Sequence, residues 1–399
     1  MKKYQKILLM YVLPALIIFP LVMFLVWVFT PKTKLVVAIV DKTSLDDSGQ
    51  EHISLTWVLN HYRYTKTPTE GYSVGHDYFG FFPKDDEKFR LKGLERFSPD
   101  QLKQLSDDAD LAYFTDTYGV YKNDWYIRKG ETGQKGLLYG GLSSQDVTFL
   151  QDMKDRHKLI ITEFNTIGSP TNADNRNKFE KMFGMHWTGW TARFFDSFDT
   201  LKNKELPAWL VTNYKKEHAQ QWPFHKAGLA FVNDAGNVVI LEDSTHLTNP
   251  VPRIITFQYG QKELSLPENM KYPFWFDVIT PSLSVNHAVS RFDLSLNANG
   301  AAELRKNGIP TTFPAIIMHK GADYQFYYFS GDFCDNPIGM TSSYFRGITF
   351  FRWMFYNSDD PAERKSFFWT FYRPMITRIL KDAAAGNSRG GVNKVAAAR

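Results

Sequence analysis

The chain has 399 residues, 43% apolar and 22% charged, enough for one large or two ordinary domains with a well-buried core. Its net charge of +5 comes from basic residues scattered among acids, without the clustered stripe that a nucleic-acid groove needs, which discounts nucleic acid as a partner. A single cysteine, Cys334, excludes an intramolecular disulfide framework and a cysteine-rich zinc site.

Taken in chain order, the first feature is an uncharged apolar run from Ile7 to Phe29. Twenty-three helical residues at 1.5 Å each reach roughly 34 Å, the thickness of a bilayer core, so the run is expected to be a transmembrane helix. A cleaved signal peptide would have a shorter apolar region and a small-residue cleavage site, and Val28 to Lys32 offers none. Lys2, Lys3 and Lys6 precede the run, while Lys32, Lys34 and Lys42 follow it. A short lead and a large following domain suit a signal anchor, which would place a single-pass protein in the cell membrane with its bulk extracytoplasmic.

Beyond Pro31, Lys34 to Val40 is a continuous apolar strand ending at Asp41, the kind that parallel sheets bury on both faces. Ile53 to Tyr62 and Ser98 to Leu105 are predicted helices, the second with Ser98-Pro99-Asp100 as its start signal. Leu111 to Thr115 is a second strand, ending at Asp116, and Ser143 with Asp146 caps the helix after it. Lys158 to Thr162 is a third strand, ending at Glu163; Thr171 with Asp174 caps a further helix that Gly184 stops. This alternation predicts an α/β, doubly wound, mostly parallel flavodoxin-like sheet. After Trp190 the pattern turns to hairpins and short strands, an antiparallel β-rich extension; Asp360-Pro361-Ala362-Glu363 then reads as the start of an aromatic helix. The expected organisation is a transmembrane anchor (1–31), a parallel half (32–200), a β-rich part completing the same or a second domain (201–345), an aromatic helical region (346–385) and a disordered tail (386–399).

The order of elements resembles the class I glutamine amidotransferase-like group, including ThuA-like domains and the domains of that fold found beside glycoside hydrolases. The residues that carry it are the first strand to Asp41, Asp110-Leu-Ala-Tyr-Phe-Thr-Asp116, Leu142-Ser-Ser-Gln with Phe149-Leu150, Lys158-Leu-Ile-Ile-Thr-Glu163, and Gly321 to Asp332. Enzymes of that group carry a cysteine at the sharp turn after the strand that matches Lys158–Thr162. Here Glu163-Phe164-Asn165 occupies that turn and Cys334 lies elsewhere, so glutamine hydrolysis through a thiolate lacks its nucleophile.

In open α/β sheets ligands sit beyond the carboxyl ends of the strands, where Asp41, Asp116, Glu163 and Asp332 are predicted to emerge. Paired there, carboxylates could serve as acid and base on a glycosidic bond, with Glu163 and Asp116 as the working pair, or hold a hard cation. The bland alternative is that short acids end strands because they bond nearby backbone amides. Aromatics make up 16% of the chain, which fits either a bulky core or stacking surfaces for sugars. The stretch Met185 to Arg193 reads as a loop offering Trp187, Trp190 and Arg193 to a ligand, or as a tryptophan-stapled loop on the core. Tyr118 is placed beside the same crevice, and the stretch from Asn165 to Pro170 could cradle an anion near a helix start, though without the glycines and lysine of a P-loop. The histidines show no metal-ligand spacing, and neither a resident metal nor a cofactor is called for. The leading expectation is a membrane-anchored domain binding carbohydrate or a cell-envelope component. The rivals are a hydrolase of glycosidic or ester bonds and a structural partner of other membrane proteins, the latter through the helix from Pro361.

Overall fold

A ten-stranded sheet runs through the protein in a computed structural model that describes residues 13–126 and 136–397. The strands, in chain order, are β1 (Val37–Asp41), β2 (Phe79–Lys84), β3 (Lys88–Leu91), β4 (Leu111–Asp116), β5 (Leu159–Glu163), β6 (Met185–Phe195), β7 (Gly228–Asn233) and β8 (Val238–Glu242). They continue with β9 (Arg253–Thr256), β10 (Asn269–Lys271), β11 (Phe276–Pro281), β12 (His287–Asp293), β13 (Pro314–Lys320) and β14 (Gln325–Phe329). The large sheet has the order β10-β9-β12-β13-β14-β5-β4-β1-β2-β3, and a second sheet has the order β8-β7-β6-β11.

The chain is α/β, but the large sheet is mixed rather than mostly parallel. Only the neighbours from β14 through β5, β4 and β1 to β2 pair in parallel; both flanks are antiparallel. The β-rich later sequence joins this same sheet through the antiparallel pair β13–β14. The reason lies in burial: every residue of β1, β4 and β5 is buried, as strands covered on both faces must be.

The expected transmembrane helix is also corrected. The apolar helix α1 spans Leu13–Phe29, 17 residues or about 25 Å, and among the described residues no helix is long and apolar enough to cross a membrane. Residues 7–12 of the apolar run lie outside the described residues. Composition alone suggested lipid on every side, whereas one face of α1 packs on protein. Met23 is buried, Trp27 Nε1 donates to Asn60 O at 2.9 Å, and Phe19, Phe24 and Trp27 meet Phe351, Phe345 and Tyr344.

Helices α2 (Ile53–His61), α3 (Pro99–Asp108), α4 (Ser144–Asp155) and α5 (Ala173–Phe183) accompany the parallel block. Ser98 with Gln101 and Ser143 with Asp146 form reciprocal capping boxes on α3 and α4. Asp146 also takes the buried Lys42 ammonium at 2.5 Å, which ties α4 to the turn after β1. The cap of α5 is Asn172 rather than Thr171; Thr171 Oγ1 accepts instead from Leu142 N. The C-terminal aromatic segment turns helical at Lys365, later than expected from Pro361, because the Glu363 carboxylate accepts from Ser366 N. A π-helical turn over Phe368–Tyr372 then leads into α6 (Arg373–Ala397).

Alternation along the strands divides the core. Tyr113, Ile161, Tyr327 and Phe329 face one apolar cluster together with Trp57, Trp369 and Tyr372; Phe114, Ile160, Phe326 and Tyr328 face the other with Phe149, Phe179 and Phe183. Much of the aromatic excess is therefore core, as in the stacked Phe183–Phe326 pair with centroids 4.0 Å apart. Replacing Phe326 by Ala is expected to cost about 3–5 kcal/mol in urea unfolding, whereas Leu201→Ala, at a side chain 90% exposed, should stay within about 0.5 kcal/mol.

Candidate functional site

The parallel register brings strand ends together: Asp41 lies opposite Asp116, and Phe329 opposite Glu163, with Asp332 in the turn beyond β14. Beyond this edge opens a cleft of about 580 Å³. Two of the four strand-end acids, Asp116 and Asp332, line it; Asp41 and Glu163 do not.

Asp41 is fully buried and its oxygens are used. They accept from Thr43 N, Ser44 Oγ and face His52 Nδ1 at 2.9, 2.7 and 2.6 Å. The other imidazole nitrogen lies 2.7 Å from Val74 O, which can only accept, so Nε2 is the donor there. Glu163 is equally sealed. Oε1 takes the Tyr113 hydroxyl, and Oε2 accepts from Phe333 N and Cys334 N, both at 2.9 Å. Glu163 therefore does not share the cleft with Asp116, and its carboxylate holds the backbone at Phe333 and Cys334 instead.

Asp116 is 4% exposed, and its Oδ1 accepts from Thr43 Oγ1 at 2.8 Å and from Tyr118 N. Asn165, with φ 62°, sits at the left-handed turn after β5 and points its amide to Asp116 Oδ2 at 3.5 Å. Burial pushes the Asp116 carboxyl up to about 7, against hydrogen bonds that favour its ionised form.

Residues 185–193 are not a loop. They belong to β6, paired with β7 on one side and β11 on the other. In the pairing with β11 the residues Thr188 to Trp190 stand opposite the single Val278, and this bulge separates the two tryptophans. Trp187 joins one core cluster and forms part of the cleft wall; Trp190 is buried in the other cluster. Arg193 lies beside Phe274 and Trp275 but is paired with Glu205 and does not line the cleft. Asn165 and Tyr118 do line it.

Several cleft residues carry no pattern that a sequence reading singles out. Trp209 (49% exposed) and Trp275 come from separate loops and helices far along the chain. Glu51 comes from the short helical turn Gln50–His52, entered through the left-handed Gly49, and Asp335 follows Asp332 by three residues. That Asp332–Asp335 spacing was the one available signal. Oxygens of Glu51, Asp332 and Asp335 lie within 4.8 Å of one another. Burial and mutual repulsion push the Glu51 and Asp332 carboxyls well above the usual range. Behind the cleft, Asp277 on β11 accepts from Tyr328 OH at 2.6 Å and Asn165 N at 3.2 Å, and burial lifts it to about 7.

With this geometry in place, comparison with known proteins adds little. No family model matches the sequence, and no curated protein matches it. Among solved structures, a putative ThuA-like protein from Bacteroides uniformis ATCC 8492 is similar over 82% of this chain and 92% of its own, with 10% identity and a TM-score of 0.34. A β-galactosidase from Rahnella sp. R3 is similar over 88% of this chain, with 9% identity and a TM-score of 0.34. Another from Bacillus circulans sp. alkalophilus is similar over 60%, with 9% identity and a TM-score of 0.25. The chain spans only 31% and 22% of those two enzymes. Likeness of this degree transfers no chemistry.

A carboxyl whose pKa is raised by folding binds its proton more tightly in the native state, so its contribution to stability is full below about 4 and lost as pH rises through the native value. Asp116 and Asp277 (each about 7) and Glu163 (about 8) place that window between about pH 4 and 8. Urea-unfolding free energy should therefore fall from pH 5.5 to pH 8.5. Asp277→Asn, which keeps an acceptor for Tyr328 and Asn165, should show a shallower fall; an unchanged slope would remove Asp277 from this account.

Proposed function

We propose that the cleft binds a carbohydrate. The observation that carries this reading is the combination, in one open cavity of about 580 Å³, of aromatic walls and a carboxylate end. Tyr118, Trp209 and Trp275 offer ring surface, and Tyr118 and Trp209 are 39% and 49% exposed. A sugar presents C–H faces that pack on rings and hydroxyls that donate to carboxylates, so it matches both halves of the cavity. The volume lies within the range of small-ligand sites. Asp116 is held by Thr43 and Tyr118 N through Oδ1, which leaves Oδ2 facing only the long contact from Asn165 and ready to accept from a ligand hydroxyl.

Titration calorimetry against a panel of neutral and amino-bearing oligosaccharides tests this. Trp209→Ala and Asp116→Asn should each weaken binding about tenfold or more, roughly 1.4 kcal/mol. Glu163→Gln should leave affinity within about twofold, since that side chain is sealed behind the cleft. Absence of binding across the panel, or undiminished binding by Trp209→Ala, would reject the reading. Release of new reducing ends that disappears in Asp116→Asn would replace binding by hydrolysis.

A further inference from the structure

We propose that Glu51, Asp332 and Asp335 hold a hard divalent cation at the acidic end of the cleft. This goes beyond the sugar reading and does not depend on it.

The donor set consists of oxygen alone, which suits a hard ion rather than zinc or copper. One oxygen from each residue lies within 4.8 Å of the others.

A second observation sets the group apart from an ordinary acidic cluster. Asp332 is 6% exposed, yet its Oδ1 has no hydrogen-bond partner, and Glu51 Oε2 is likewise buried without one. Most buried polar atoms are satisfied, as the oxygens of Asp41 and Glu163 are, although Asp146 and Asp277 also keep one oxygen without a partner. What distinguishes Glu51 and Asp332 is that an oxygen of each lies within 4.8 Å of the other and of Asp335, beside an open cleft. Asp335, by contrast, is oriented from behind by the Gln50 amide and by Arg364, whose guanidinium lies 3.2 Å from Oδ2. Such outer contacts are what position carboxylate ligands around metals. The three residues also line the cleft, so an ion and its remaining water or ligand oxygens reach the site from solvent.

The test uses the full chain, freed of metal with a chelator, titrated with CaCl₂ in the absence of sugar and followed by calorimetry and thermal unfolding. One Ca²⁺ should bind with Kd below about 1 mM and raise Tm by about 3 °C or more at saturation. Glu51→Gln and Asp332→Asn should each weaken binding at least tenfold. Removing a charge from the repelling triad leaves the metal-free variants at least as stable as wild type, so loss of binding is not loss of fold. Absence of heat and of any Tm shift with Ca²⁺ overturns the proposal, as does unchanged affinity in both variants. Because no sugar is present, failure here leaves the carbohydrate reading standing, and failure to bind sugars leaves this one standing.

Discussion

The structure depends on four apolar strands lying side by side in one direction. Burial of β1, β4, β5 and β14 on both faces leaves them no polar side to turn outward, and the parallel ladder fixes their register, so their carboxyl ends stop along one edge. Helices cover the faces and the antiparallel flanks extend the sheet on either side; the edge remains as the place where polar side chains can emerge. The cleft follows from that arrangement, and the acids arrive there because a strand that is apolar throughout can place a charge only where it ends.

Those acids meet two different fates, and hydrogen bonding separates them. Asp41 and Glu163 have each found enough donors to be sealed, and they now anchor the loops around His52 and Phe333. The donors around Glu163 hold backbone in place, although burial still outweighs them and raises that carboxyl to about 8. Asp332 and Glu51 lack such donors while sharing a small volume with Asp335. Leaving charge in that condition is expensive, and the strand-end acid most useful for binding is therefore one the fold has not satisfied.

The aromatic residues divide in the same manner. Most are layered on the two faces of the sheet, where they fill volume and contribute to the burial that drives folding. A few, among them Tyr118 and Trp209, keep ring surface open to the cleft. Trp187 and Trp190 show how little separates the two roles: a bulge opposite Val278 sends neighbours on one strand to different clusters. The apolar helix α1 is a similar case. Its sequence is apolar all round, yet its contacts with Tyr344, Phe345 and Phe351 set one face on the protein.

The sequence by itself determined the local elements whose signals are local. The apolar strands to Asp41, Asp116 and Glu163, the capping pairs Ser98–Gln101 and Ser143–Asp146, and the glycine stop at Gly184 all follow from adjacent residues acting on one another. Shifts arose where a side chain was engaged elsewhere or a neighbour capped instead, as at Thr171, whose hydroxyl accepts from Leu142 N while Asn172 caps α5, and at Glu363, which accepts from Ser366 N. Tertiary structure alone decided that β13 returns antiparallel to β14 and so makes the sheet mixed, that Glu163 is closed off while Asp332 lines the cleft, and that Glu51 meets Asp332 and Asp335 from a distant part of the chain. Pairing direction, burial and proximity depend on contacts between distant segments, and no short window of sequence holds both partners.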